Sequence, residues 1–169
     1  MTVVSEKLMS ISRDEFRAAL GRFASGVTVV TTKDKSGRLH GITVSAFSSV
    51  SLDPPLILVC IDKLAGSHQA FEEISTFVVN ILSEDQQHYS DLFASHLSDK
   101  FDGVDYLETS DGVPLLKNAL VNMECRLVNS HANGDHTIFV GEIMKSYVTD
   151  GNPLIYFHGN YRKLKDRLG

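Results

Sequence analysis

The chain has 169 residues, of which 43% are hydrophobic and 22% charged, a composition typical of one globular domain. Its formal net charge of −5, with basic residues clustered only in the C-terminal tail, argues against a nucleic-acid partner. No apolar run is long enough to cross a bilayer, and residues 1–10 lack the apolar stretch of a secretory signal. We therefore expect a single cytoplasmic domain over residues 1–169, with no membrane partner and a flexible N-terminal segment over residues 1–10.

The two cysteines do not indicate a disulfide, a redox pair or a metal site. Cys60 and Cys125 each lie in an apolar segment, without a second cysteine at a metal or redox spacing. Buried cysteine commonly behaves as a small hydrophobic residue. A metal site formed by His131, Asp135 and His136 is conceivable, but no second pair of ligands faces this turn, and we expect no metal.

A capping box predicts the first helix. Ser12 and Glu15 have the spacing at which each side chain satisfies a free amide at a helix start. Three apolar residues with helical spacing then give the helix one apolar face: Phe16, Leu20 and Phe23. Gly26 is predicted to end this helix.

A β-hairpin with an asymmetric second strand follows. Residues 26–32 are rich in valine and threonine, and a polar turn separates them from a strand that begins at Gly41. Side chains alternate along a strand, so Ile42, Val44 and Ala46 are predicted to face the core, with Thr43 and Ser45 facing outward. Such a row of small hydroxyls can hold a phosphate-bearing ligand, although an ordinary solvated strand face explains it equally well. Residues 53–55, Asp-Pro-Pro, end the following loop.

The rest of the chain predicts a mainly β protein with two or three helices. The expected strands cover residues 56–61, 77–82, 122–129, 137–148 and 153–157. Ser67 is expected to cap a short helix that runs to Ile74, and a second capping box at residues 83–86 predicts a helix towards Leu97. Residues 98–114 are expected to form a loop, and the Asn-Gly pair before Asp135 a tight turn. About seven mostly antiparallel strands favour a small β-barrel.

Six ordered segments resemble the short-chain flavin reductases, the reductase components of two-component flavin-dependent monooxygenases of the 4-hydroxyphenylacetate and phenol hydroxylase type. The segments are residues 26–32, 42–55, 77–82, 100–101, 134–142 and 153–157. The resemblance implies an antiparallel split β-barrel of the FMN-binding kind and a homodimer. It also implies that FMN or FAD is reduced by NADH or NADPH, and that diffusing reduced flavin feeds a partner oxygenase acting on an aromatic compound.

The resemblance also implies roles for individual residues. Thr43, Val44 and Ser45 match the segment that runs along the flavin ring and ribityl chain. Ser49, Val50 and Ser51 match the loop that follows, whose backbone amides would hydrogen-bond the pyrimidine edge of the ring. Lys63 and Ser67 lie at and before a predicted helix start, where free amides and the positive end of the helix dipole suit a phosphate. Each of these residues has an alternative reading as part of an ordinary polar turn or helix cap.

Three further positions complete the site that the resemblance implies. Lys100 and Phe101 match a pair near the phosphate or adenine end, with a solvated lysine as the alternative. His136 matches a histidine beside the nicotinamide, where it would bind the carboxamide or stabilise the reduced flavin. A turn histidine bonded to Asp135 is the alternative. Tyr161 would lie over the site, or simply end the last strand.

The residues themselves are compatible with this function. No Gly-x-Gly-x-x-Gly segment follows a predicted strand, so the chain lacks a dinucleotide-binding fingerprint. A chain of this length has no room for a separate nicotinamide domain, and the nicotinamide must stack on an exposed flavin face. The absence of an obvious arginine for a 2′-phosphate favours NADH over NADPH. Two alternatives stay open: a non-catalytic flavin-binding module, and a flavin-dependent reductase of another acceptor such as a corrinoid or ferric chelate.

Overall fold

The computed structural model describes residues 11–164, so the flexible segment expected over residues 1–10 lies outside the described residues. Three helices lie in the described range: α1 (Arg13–Leu20), α2 (His68–Glu73) and α3 (Gln87–Ala94). Twelve strands lie in the same range: β1 (Ser25–Gly26), β2 (Thr28–Lys33), β3 (Leu39–Val44), β4 (Phe47–Ser51), β5 (Leu56–Asp62), β6 (Thr76–Ile81), β7 (Tyr106–Glu108), β8 (Pro114–Leu116), β9 (Val121–Asn133), β10 (His136–Val148), β11 (Ile155–Phe157) and β12 (Asn160–Arg162). Across residues 11–164, none of the helices has the length and hydropathy that a bilayer-spanning segment needs.

Seven antiparallel strands form the main sheet, in the order β3-β2-β6-β9-β10-β5-β4. Its two outer strands, β3 and β4, are consecutive in the chain and are joined by Ser45 and Ala46. The two edges therefore meet at this corner, where the Cys60 amide donates to the Ala46 carbonyl at 3.0 Å. The sheet curves round without a continuous ladder between β3 and β4, which confirms the mainly β, antiparallel split-barrel class.

The inside of the curved sheet is filled by apolar side chains. The fully buried members of this core cluster include Val30, Val59, Phe71, Phe77 and Phe139. Gly141 on β10 has a packing role there, because a Cβ atom at this position would overlap the ring of Phe77. A second cluster, with Val29, Leu82, Phe93 and Leu116, packs β2 against α3 and the β7–β8 hairpin.

Helix α1 begins as predicted and ends earlier. The capping box is present in full, since the Ser12 hydroxyl accepts from the Glu15 amide and Glu15 Oε2 accepts from the Ser12 amide. The predicted end at Gly26 is wrong, because the helix ends at Leu20 with Gly21 at its C-cap. The His158 amide donates to the Gly21 carbonyl at 2.9 Å, a contact across the chain that ties down this end. Gly26 instead belongs to β1, which pairs with β11.

Two other helix predictions need correction. The second capping box does not open a helix: Gln86 Oε1 accepts from the Ser83 amide at 3.1 Å, but the Gln86 amide group donates to the Lys117 carbonyl at 2.7 Å. Helix α3 starts at Gln87, three residues later than a cap at Ser83 would give, and ends at Ala94, short of Leu97. The loop predicted over residues 98–114 contains β7 and leads into β8, which pairs with it.

The long hairpin of β9 and β10 has a tight turn, as the sequence predicts. Strands β9 and β10 extend beyond the predicted residues and leave a connection of only two residues, Gly134 and Asp135. Gly134 has a φ of +57°, a value that glycine adopts without steric cost. The hairpin therefore sets His136 at the first position of β10, paired with Asp62 at the end of β5.

Candidate functional site

The free edge of β3 is the first feature of the site. Within the described residues, β3 pairs with β2 alone, so its other edge carries backbone groups without a strand partner. Lys100 Nζ lies 3.4 Å from the Gly41 carbonyl oxygen, which places that carbonyl on the free edge. Residues two apart on an antiparallel strand direct their N–H and C=O groups to the same side. The backbone of Thr43 therefore faces the free edge as well, where it can bind a polar ligand.

The side chains of β3 alternate as predicted, with one difference at the corner. Val44 is 4% exposed and Ile42 packs against the same core cluster, whereas Ala46 is exposed. The Thr43 hydroxyl does not point into an open groove, because it donates to the Ser90 carbonyl of α3 at 2.7 Å. The Val44 carbonyl accepts from the Thr28 hydroxyl at 2.7 Å, so its side chain and its carbonyl are both engaged within the protein.

Tyr161 lies close to Thr43 and Ser45. These three residues line a cavity of about 220 Å³ together with Val27, Ser90, Ala94 and Tyr156. The Tyr161 hydroxyl donates to Asp91 Oδ1 at 2.9 Å and lies 2.8 Å from the Ser90 hydroxyl. Burial is the main reason that the pKa of Tyr161 is raised. The phenol therefore stays protonated at neutral pH and offers a neutral hydroxyl group to this cavity.

A second cavity, of about 270 Å³, lies beside the free edge of β3 and is called the cationic cavity below. Its basic side chains are those of Arg38, His40, His96 and Lys100, and none of its lining residues carries a carboxylate. The other lining residues are Leu39, Gly41, Gly66, Ser67, Ser95, Leu97, Ser98 and Phe101. In a chain of net charge −5, such a lining favours an anionic ligand.

Three sequence-predicted residues meet in the cationic cavity. Lys100 donates to the Phe93 carbonyl at 2.8 Å, and burial lowers the pKa of its ammonium group. The Phe101 ring is fixed by an edge-to-face contact with Phe93, with ring centroids 5.1 Å apart. Ser67 directly precedes α2, but its predicted capping bond is absent, and its hydroxyl group is left to the cavity.

Ser49, Val50 and Ser51 lie on the other edge strand. Strand β4 pairs with β5, and the register shifts between Ser49 and Ser51, so that Val50 forms a bulge. Val50 is 49% exposed, which shows that the bulge faces solvent. Bulges are common beside active sites because they redirect backbone groups out of the ladder. This geometry leaves backbone groups of the bulge available to a ligand.

Lys63 and His136 lie together at the ends of β5 and β10. Lys63 Nζ donates to the Gly134 carbonyl at 2.7 Å, so this lysine supports the hairpin turn and does not line the cationic cavity. His136 Nδ1 lies 2.7 Å from Asp135 Oδ1, a contact that lowers the pKa of Asp135. The His136 side chain is 43% exposed, which leaves part of the ring accessible to a ligand.

The strand register relates His136 to the corner of the sheet. Ala46 contacts Cys60 on β5, and Cys60 pairs with Ile138 on β10. His136 is therefore two strand spacings, roughly 10 Å, from the corner in the direction across the sheet. The histidine thus lies two residues along β10 from the position that faces this corner.

Sequence reasoning missed several residues that line these cavities, namely Arg38, His40, His96 and Tyr156. Arg38 and His40 follow a turn whose sequence indicates only that it is polar, and His96 lies just beyond α3. The one local signal is Asp34, which accepts from the Ser36 and Arg38 amides and contacts His40 Nε2 at 2.8 Å. That arrangement orders the turn and fixes the His40 ring beside the cavity.

Comparison with known proteins identifies the class to which this fold and site belong. The family model described as "Flavin reductase like domain" matches residues 20–165. The chain therefore belongs to the flavin reductase family, as the sequence resemblance indicated.

The most similar relatives include curated enzymes and solved structures. An NADH-dependent flavin reductase of Rhodococcus sp. is 44% identical, over 88% of this chain and 85% of that protein. The FMN reductase (NADH) SmoA of Agrobacterium fabrum is 42% identical, over 86% of this chain and 83% of that protein. The structure of the Streptomyces globisporus NADH:FAD oxidoreductase SgcE6, solved with NAD and FAD fragments, has a TM-score of 0.88 at 34% identity and covers 94% of this chain and 96% of that one. The flavin reductase PheA2 has a TM-score of 0.85 at 41% identity, over 92% of this chain and all of that one (100%).

Proposed function

We propose that this chain is an NADH-dependent flavin reductase that transfers a hydride to FMN or FAD and supplies reduced flavin to a partner monooxygenase. The observation that carries the proposal is that the family match extends over the free edge of β3, the cationic cavity and His136. The flavin supplies the redox chemistry when bound, and the protein supplies binding, orientation and hydrogen bonds.

The residues at the site fit a flavin nucleotide. The free edge of β3 offers backbone donors and acceptors at Gly41 and Thr43, and the bulge at Val50 offers more on β4. The cationic cavity, next to Gly41, supplies Lys100 and Ser67 for a phosphate. A polar ring system along the edge and an anion in the cavity are the two parts of a flavin nucleotide.

His136 has a proposed role towards the nicotinamide. Its Nδ1 is held by Asp135, which leaves the Nε2 side of the ring to bind the carboxamide of NADH. Holding the nicotinamide against the flavin is most of the catalytic task, because hydride transfer needs close and aligned partners. His136 is therefore a positioning group for the co-substrate.

The experiment that tests this function is a kinetic matrix of FMN and FAD against NADH and NADPH. Purified protein is mixed with each pair, and oxidation of the reduced nicotinamide is followed by the loss of its absorbance. We expect turnover with NADH and at least one flavin. Tight flavin binding without oxidation of either nicotinamide would instead indicate a non-catalytic flavin-binding module. Turnover only with a corrinoid or a ferric chelate added would indicate another acceptor.

The proposal includes a homodimer, which the surface of α1 supports. No residue of this helix is buried within the protomer: Phe16 and Leu20 on the helix are 55% and 53% exposed, and Phe23, which follows it, is 77% exposed. A second copy of the chain would cover this apolar face. Light scattering after size exclusion should give a dimer for the wild type and for Arg17→Ala. A Phe16→Glu/Leu20→Glu variant should be monomeric, and a monomeric wild type would contradict the proposal.

We also propose a cytoplasmic location, because the reaction consumes the cytoplasmic pool of NADH. Fractionation of cells that express the chain from its own gene tests this part. Recovery of the chain with the cytoplasmic markers is expected, and recovery with the envelope fraction would contradict it.

A further inference from the structure

We propose that the buried pair His68 and Thr137 holds the end of the β9–β10 hairpin, and with it His136, in the position that binds NADH. The inference rests on the proposed flavin reductase function and deepens it, because it assigns positioning residues to the nicotinamide site. His68 Nε2 lies 2.8 Å from Thr137 Oγ1, and the two residues are 7% and 3% exposed. Neither residue lines a cavity described above.

Thr137 is the point at which the end of the hairpin is anchored in the protein. Residues 128–135 are all exposed, so Thr137 is the buried residue of β10 nearest to the turn, and His136 directly precedes it. Lys63 binds the Gly134 and Asp135 carbonyls, but these bonds fix the turn to the end of β5. The contact between the inward face of β10 and the core at this end is therefore made by Thr137.

His68 is itself fixed, so it can serve as the anchor. Its amide donates to the Ala65 carbonyl at 2.9 Å, and its ring makes an edge-to-face contact with Phe139, with ring centroids 6.0 Å apart. Phe71 on the same helix is 1% exposed and lies 6.0 Å from the same Phe139 ring, centroid to centroid. Apolar rings thus pack α2 against β10, and the hydrogen bond of His68 selects one relative position of the two elements.

Helix α2 also connects the hairpin to the cationic cavity. Gly66 and Ser67, which directly precede His68, line that cavity. One hydrogen bond, with His136 and Ser67 as the chain neighbours of its two partners, therefore links the proposed nicotinamide site to the proposed phosphate site. Hydride transfer needs closely aligned reactants, so a link that fixes the spacing of the two sites supports the reaction.

The test removes the hydroxyl group of Thr137 and measures kcat/KM for NADH at saturating flavin. Thr137→Val and Thr137→Ala should each lower kcat/KM by about fivefold to tenfold, the effect of one lost hydrogen bond. The alanine variant places no methyl group against His68, so the two variants check each other. Thr137→Ser keeps the hydroxyl group and should recover most of the wild-type value. The flavin dissociation constant should change by less than about twofold, because the turn before α2 keeps its bond from the Ala65 amide to the Asp62 carbonyl.

Two comparisons separate positioning of His136 from a general effect on the fold. Thr31→Val is the matched control, since Thr31 is 0% exposed and its hydroxyl donates to the Pro114 carbonyl of β8 at 2.6 Å. It should lower the free energy of unfolding but keep kcat/KM for NADH within about twofold. In the His136→Ala background, Thr137→Val should cause no further loss of kcat/KM, because Thr137 acts through His136.

Three results would overturn the inference and leave the reductase function intact. They are an unchanged kcat/KM in both the valine and the alanine variant, an equal loss with and without His136, and a comparable loss in Thr31→Val. Absence of turnover in the wild type, with either flavin, would overturn the function and the inference together.

Discussion

Replacing Asn80 with leucine should destabilise the fold by several kcal/mol. Asn80 is 0% exposed on β6 and makes a hydrogen bond with every polar group of its amide side chain. Its Oδ1 accepts from the Leu116 amide at 2.9 Å and from Asn122 Nδ2 at 2.7 Å. Its Nδ2 donates to the Val29 carbonyl at 2.9 Å and to the Thr31 hydroxyl at 3.2 Å.

The size of the effect follows from the groups that lose a partner. Leucine has a similar volume, so the main cost is the loss of hydrogen bonds and not a cavity. Each buried polar group left without a partner costs about 1–3 kcal/mol, and Leu116 N–H and the Asn122 amide both depend on Asn80. Because Asn122 keeps its bond to the Leu116 carbonyl at 3.1 Å, we expect a loss of about 2–4 kcal/mol.

Urea unfolding followed by far-ultraviolet circular dichroism measures this loss, since the chain has no tryptophan. Asn129→Leu, at an exposed position on β9, is the control and should change the free energy of unfolding by less than about 0.5 kcal/mol. A loss below about 1 kcal/mol for Asn80→Leu would show that the hydrogen bonds of Asn80 contribute little to stability.

Three further predictions concern single substitutions. Gly41→Ala should lower the free energy of unfolding by about 1–3 kcal/mol in urea titrations, because its Cβ would lie 2.5 Å from Phe93 Cε1; an unchanged midpoint would contradict this packing. Burial raises the pKa of the Cys125 thiol to about 12 from 9.0, so its stabilising contribution is complete below pH 9.0 and is lost as pH rises towards 12. Between pH 8 and about pH 10.5, the free energy of unfolding of the wild type should therefore fall by up to about 2 kcal/mol more than that of Cys125→Val. If the free energies of unfolding of the two proteins change in parallel with pH, burial does not raise the pKa of Cys125. His136→Ala should lower kcat/KM for NADH by about tenfold to a hundredfold while the flavin dissociation constant stays the same; unchanged turnover would exclude a role for this histidine.

The sequence predicted those elements whose signals are local. The start of α1 depends on Ser12 and Glu15, which lie within one helical turn of each other. The tight turn at Gly134 likewise depends on adjacent residues. Long-range contacts determine the features that were predicted wrongly from the sequence. The end of α1 is tied down by His158, and the side chain of Gln86 is directed to Lys117 rather than to a helix start.

In the candidate site too, features with local signals could be predicted from the sequence, and features that depend on long-range contacts could not. The hydroxyl-bearing strand and the positions of Thr43 and Tyr161 could be anticipated, although the bond from Thr43 to α3 could not, because it depends on tertiary packing. The roles of Arg38 and His96 could not be inferred either. They lie far apart in the sequence, and only the approach of the segment after α3 to the free edge of β3 brings them into one cavity.

In the proposed function, this site brings a reduced nicotinamide and a flavin together for hydride transfer. The most direct test mixes the protein and FAD with one equivalent of NADH in the absence of oxygen, while the visible absorbance of the flavin is followed. We predict that the flavin is bleached in step with the oxidation of NADH, and that the same mixture without protein stays unchanged over that time. A flavin that binds to the protein but keeps its absorbance after NADH is added would exclude hydride transfer at this site.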